Sequence, residues 1–180
     1  YITPTSGDAS QAQRVTYNTI AIDTDPVWGP SNYIVYESTR NGNWDLYVVD
    51  VETGIEFQIT SDEANDINPF WSPDGSKVIF QSDREGGVWQ IYELNLATRQ
   101  LRLLSDGQGA DVDPQYNNAG DRILFRSYRD GSDSVLYLMD SNGNNVMPIT
   151  GTDEDATNGA WSPNDALIAL WHARTFNLDI

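Results

Sequence analysis

The sequence contains no cysteine. That excludes disulfides, thiolate metal sites and thiol nucleophiles, and leaves the redox compartment open. There is one lysine, Lys77, and one histidine, His172, so no histidine cluster can hold a metal. No apolar run approaches the roughly 20 residues of a membrane helix, and no signal peptide is visible in these residues. No window holds apolar residues at helical spacing for three turns. P-loop, dinucleotide fingerprint, Gly-x-Ser-x-Gly elbow and Asn-x-Ser/Thr sequon are missing as well. Basic residues are scarce: 10 against 27 acidic ones, for a formal net charge of −17. Such a chain is repelled by nucleic acid and by anionic membrane surfaces, so neither nucleic-acid binding nor membrane insertion is expected.

What is present is a repeat. The 180 residues are 39% hydrophobic, enough for one domain with a sizeable core. Four segments align: DPVWGPSNYIVYES (25–38), NPFWSPDGSKVIFQS (68–82), DPQYNNAGDRILFRS (113–127) and NGAWSPNDALIALWH (158–172). Their aromatic anchors Trp28, Trp71, Tyr116 and Trp161 are spaced by 43, 45 and 45 residues. A second landmark keeps the same period: Arg40, Arg84, Arg129 and Arg174, at 44, 45 and 45. Alternating apolar runs with Tyr47, Tyr92 and Tyr137 follow the first three arginines, and each unit closes on a short segment ending in Thr or Ser.

Each unit predicts four short strands separated by turn residues such as Asp74-Gly75 and Gly86-Gly87. Four strands every 43–45 residues point to an all-β fold, a β-propeller of four-stranded antiparallel blades. The second strands (YIVY, VIF, ILF, LIALW) are apolar on both faces, as strands covered by a blade on either side must be. The aromatic anchors are expected to pack blade against blade. Residues 1–12 read as a linker or tail, and 13–18 as an N-terminal outer strand. Full blades are expected at about 25–60, 68–104 and 113–150, with an incomplete blade at 158–180. The final FNLDI matches GNWDL of the first unit, so a longer propeller is expected. A four-bladed ring closed by residues 13–18 is the rival.

The order Pro, Trp, Ser-Pro-Asp-Gly, apolar strand, Ser, Arg, Tyr and a closing Leu/Ile-Thr resembles the TolB-type, WD-like propeller repeat family. Residues 68–104 fit best. Gly29-Pro30-Ser31-Asn32 and Asn117-Asn118-Ala119-Gly120 depart from the turn sequence. The resemblance implies a ring of six or more blades, commonly outside the cytoplasm, that binds partners or gates an attached peptidase. It implies a protein partner within a larger envelope or surface assembly, in the periplasm, at the cell surface or in secretion.

Candidate sites follow the repeat. Asp25, Asn68, Asp113 and Asn158 precede the anchors, and Asp23, Asp66 and Asp111 stand two residues earlier. This segment enters the innermost strand, so several blades would aim carboxylates and amides at one axis. A calcium ion wants six to eight oxygen ligands, which such a ring could supply. The alternative is that Asp and Asn cap turns through side-chain-to-backbone bonds. Asp140-Ser-Asn-Gly143 starts like a calcium loop but lacks the closing acidic residue, and a hairpin turn is favoured. The arginines, expected to open each third strand, read as repeated structural ion pairs rather than a ligand ring. His172, in the column of Ser38, Ser82 and Ser127, has no nucleophile to activate. Three functions compete: a non-catalytic binding or assembly module, a propeller gating a prolyl-oligopeptidase-type catalytic domain, and a cation- or carbohydrate-binding propeller.

Overall fold

The computed structural model describes residues 1–131, 133–151 and 155–173, without the side chains of residues 9, 158, 172 and 173. Arg174 lies outside the described residues. Blade 1 holds β1 (Asp23–Trp28), β2 (Tyr33–Ser38), β3 (Asp45–Asp50) and β4 (Glu56–Gln58). Blade 2 holds β5 (Asp66–Trp71), β6 (Lys77–Glu85), β7 (Val88–Asn95) and β8 (Leu101–Leu103). Blade 3 holds β9 (Asp111–Tyr116), β10 (Arg122–Ser127), β11 (Val135–Asp140) and β12 (Met147–Pro148). The described part of blade 4 is β13 (Asp155–Trp161) and β14 (Ile168–Ala173). Every sheet is an antiparallel meander in chain order.

The turns form where short polar residues satisfy the backbone locally. Asp74 accepts from Ser72 Oγ at 2.6 Å and from Ser76 N at 3.0 Å, which leaves Gly75 at φ 72°. A left-handed backbone there costs glycine no steric penalty. The reactive-looking Ser72 and Asp74 are thus turn formers. Strand β12 is only two residues long, and Pro148 is tolerated in it because this is an edge strand and the next ladder bond comes from Ile149 N to Leu136 O.

Most of the core lies between blades. Val78 and Phe80 of β6 face blade 1, meeting Val35, Leu46, Val48 and Ile59. Ile79, between them in sequence, faces blade 3 and joins Tyr116, Ile123 and Phe125. Alternate residues of one strand therefore enter two different cores, which is why the second strands are apolar on both faces. Fully burying side chains of this size contributes about 1.5–3 kcal/mol each. A third seam joins Leu124 and Leu136 to Ala156, Trp161 and Ile168 of blade 4.

Three expectations need correction. Residues 13–18 form no strand: only Gln13 pairs, with Ile2. Arg14 takes the carbonyls of Thr16 and Asn18 through Nε and Nη2, so the segment folds on itself instead of offering a ladder. Second, Trp28 does not pack between blades and is 56% exposed, whereas Trp71 and Tyr116 are buried. The face of blade 1 that Trp28 belongs to carries only the N-terminal segment, anchored through Ile2 on Ile34, Tyr36, Tyr47 and Val49. Third, the arginines stand two residues beyond the serine column, and Arg84 lies within β6 rather than at the start of a third strand.

Candidate binding site on the inner strands

The two acidic columns have different fates. Asp66 and Ser82 are opposite one another across β5 and β6, and Arg84 folds back over that pair. Its Nη2 donates to both Asp66 oxygens, at 2.9 and 3.0 Å, and its Nε to Ser82 Oγ at 2.9 Å. The guanidinium lies 4.7 Å from the Tyr92 ring centre. Blade 3 repeats the cluster with Asp111, Ser127, Arg129 and Tyr137. Burial pushes the carboxyls of Asp66 and Asp111 up, against the pull of the serine and arginine beside each. Blade 1 has a looser version, with Arg40 Nη2 3.5 Å from Asp23 and its Nη1 on Glu56. Asp23, Asp66 and Asp111 are therefore held inside their own blades.

The second column does come together. Asp25, Asn68 and Asp113 each stand before a proline, at φ 46°, 53° and 55°. All three lie at register shifts in the pairing of first and second strands. The bulge re-aims each side chain out of the ladder, and Asx residues tolerate the left-handed conformation better than bulkier ones. The first strands of adjacent blades pack against each other, so these bulges line one cleft of about 370 Å³. The backbone of Asn158 continues the series into β13.

Side chains of the second strands reach across to cap the bulges. Asn68 N donates to Glu37 Oε1 at 2.6 Å, and Asp113 N to Gln81 Oε1 at 2.9 Å. Asn68 Nδ2 donates to Gln81 Oε1 at 3.0 Å and to Asp113 Oδ1 at 2.7 Å. Arg126 Nη2 pairs with the other Asp113 oxygen at 2.7 Å. Burial pushes the Glu37 carboxyl up to about 7, and the nearby Asp25 charge adds to that, against the amide of Asn68. One end of the cleft is thus acidic and the other holds a guanidinium. Sequence reasoning missed Glu37, Gln81 and Arg126. Their signal is a long polar side chain just before the serine column, at the end of an otherwise apolar strand.

The arrangement suits polar and charged groups better than a bare cation. Asn68 and Arg126 already occupy the Asp113 carboxylate. Among the described residues no group of three or more His, Asp or Glu is placed to hold a metal ion. Nor does any helix among them have the length and apolarity to cross a membrane.

The TolB beta propeller domain family matches residues 10–95. TolB from Acinetobacter baumannii superposes with a TM-score of 0.80 at 26% identity, covering 94% of this chain and 42% of that one. A putative TolB from Agrobacterium tumefaciens gives 0.72 at 25% identity, covering 89% and 61%. The TolB homolog of Chlorobium luteolum is 31% identical over 65 residues, 36% of this chain and 15% of the relative. The chain spans less than two thirds of the length of each.

Proposed function

The chain is built of TolB-type β-propeller repeats, and from that premise we propose that it is a non-catalytic module binding a protein partner outside the cytoplasm. The observation that carries the reading is how its polar residues are used. Ser82 and Ser127 are fully buried and accept from arginine, so no substrate reaches them. The residues that face solvent together are instead the Asp25, Asn68 and Asp113 bulges, a rigid polar rim rather than a nucleophile with its base. A surface with formal charge −17 favours a partner with a basic face and makes the association salt-dependent. The extracytoplasmic setting and a place in an envelope assembly rest on the family resemblance.

The test uses the immobilised chain and the envelope and secreted fractions of the source organism. One partner should be retained at low salt and released as salt rises. Asp25→Lys should weaken its retention about tenfold, because it reverses the charge at the acidic end of the cleft. Failure to retain any partner, or equal retention by the variant, overturns the proposal.

A further inference from the structure

Three turns between first and second strands share one bonding scheme. Ser72 N donates to Lys77 O, Asn117 N to Arg122 O and Ser162 N to Leu167 O, at 2.9, 3.0 and 2.8 Å. In each, the fourth residue after the aromatic anchor is left-handed: Gly75 at φ 72°, Gly120 at 75° and Asp165 at 57°. That residue meets the second residue after the anchor of the preceding blade. Gly75 meets Pro30, Gly120 meets Pro73, and Asp165 meets Asn118.

We propose that these two positions are a matched pair that sets how one blade seats on the next, proline being read by glycine and asparagine by aspartate. Proline presents a ring and no donor. A Cβ at Gly75 would stand 3.2 Å from Pro30 Cγ, and one at Gly120 3.2 Å from Pro73 Cδ. Both contacts are tighter than side chains normally make, so glycine is the residue that closes the seam. Asn118 reverses the requirement by presenting donors. Asp165 Oδ1 accepts from Asn118 N at 2.9 Å, and Oδ2 from Ala119 N at 2.9 Å and Asn117 Nδ2 at 3.2 Å. Charge-assisted bonds to backbone amides offset the cost of a non-glycine residue at positive φ. A mixed pair loses part of this: aspartate against proline keeps the Ala119 and Asn117 donors but loses both donors of Asn118, and glycine against asparagine leaves all of them to water.

A double-mutant cycle on the full chain tests the pairing. Asn118→Pro and Asp165→Gly are made singly and together. The readout is hydrogen-exchange protection of Ala156 N–H, which bonds Ser134 O across blades 3 and 4. Each single variant should lose about tenfold in protection, and the double should return to within about threefold of wild type. The reverse cycle, Pro73→Asn with Gly120→Asp, is read at Asp113 N–H on the seam of blades 2 and 3. It decides the matter if Asn118→Pro fails to fold. Additive losses in both cycles overturn the proposal.

Discussion

Blades 1 and 3 place the same residue types at the same positions, yet their ion pairs differ in kind. Asp111 is fully buried and bound through both oxygens by Arg129, whereas Asp23 keeps 16% of its side chain exposed and stands 3.5 Å from Arg40. The cause lies in the neighbour. Gln90 of blade 2 donates to Gly109 O, and Gly109 packs so tightly under Arg129 that a Cβ there would stand 2.7 Å from Arg129 Cα. Blade 1 has the N-terminal segment in that place, with Asn18 bonding Asp23. Arg40 turns to Glu56 and to the Tyr36 hydroxyl instead. A repeated sequence motif thus yields a tight pair only where another blade covers it.

The largest effect should come from breaking the covered pair. Asp111→Asn leaves Arg129 with only the partly exposed Asp106 as counter-charge and should cost about 3 kcal/mol, while Asp23→Asn should cost about 1 kcal/mol or less. Urea unfolding of both variants checks this, and equal costs would contradict it. Next comes the seam between blades 1 and 2, where the Trp71 indole lies on Gly29 and donates to Val27 O at 3.1 Å. A Cβ at Gly29 would be 2.5 Å from Trp71 Cε2, so Gly29→Ala should cost about 2–3 kcal/mol. Ser72 holds the matching place in blade 2 with its Cβ already accommodated. Ser72→Ala should cost only about 1 kcal/mol, from lost hydrogen bonds, in the same titration.

A smaller effect separates the two capping residues. Glu37 and Gln81 accept equivalent amide bonds, but one of them titrates. The folded carboxyl, pushed up to about 7, lies above its unfolded value of about 4.3. The native state therefore holds the proton more tightly, and its stabilisation is complete below about pH 4.3 and lost as pH rises through 7. Glu37→Gln should flatten that loss, gaining about 1–2 kcal/mol over wild type at pH 8 and nothing at pH 4. Gln81→Glu should install a similar dependence at the other seam. Thermal midpoints at both pH values measure it. Smallest of all is calcium: with Asp113 engaged by Asn68 and Arg126, added calcium should leave the midpoint unchanged, and a rise of several degrees would restore the cation reading.

Period, strand count and both-faced burial were legible because each is written in runs of adjacent residues. The aromatic anchors were legible only in part, since Trp28 looks identical to Trp71 in sequence and differs in what lies against it. The two acidic columns were read as one ring. Separating them requires the bulge: the register shift between Ile67 and Phe70 turns Asn68 toward the cleft while Asp66 stays opposite Ser82. Nothing in Asp-x-Asp-Pro announces a left-handed third residue, because residues before proline usually prefer extended backbone. The outer strand over 13–18 failed for a local reason, as Arg14 consumed the carbonyls the ladder needed.

Lys77 gives the molecule an unusual handle. It is the only lysine, and its Nζ lies 3.1 Å from Glu93, the buried carboxylate that also receives Arg102 and the Tyr116 hydroxyl across the seam of blades 2 and 3. An amine-directed dye or cross-linker has one side chain to find, at a seam. Because Lys77 is already about a third exposed, its reaction rate reports how firmly Glu93 holds the amine rather than any parting of the blades.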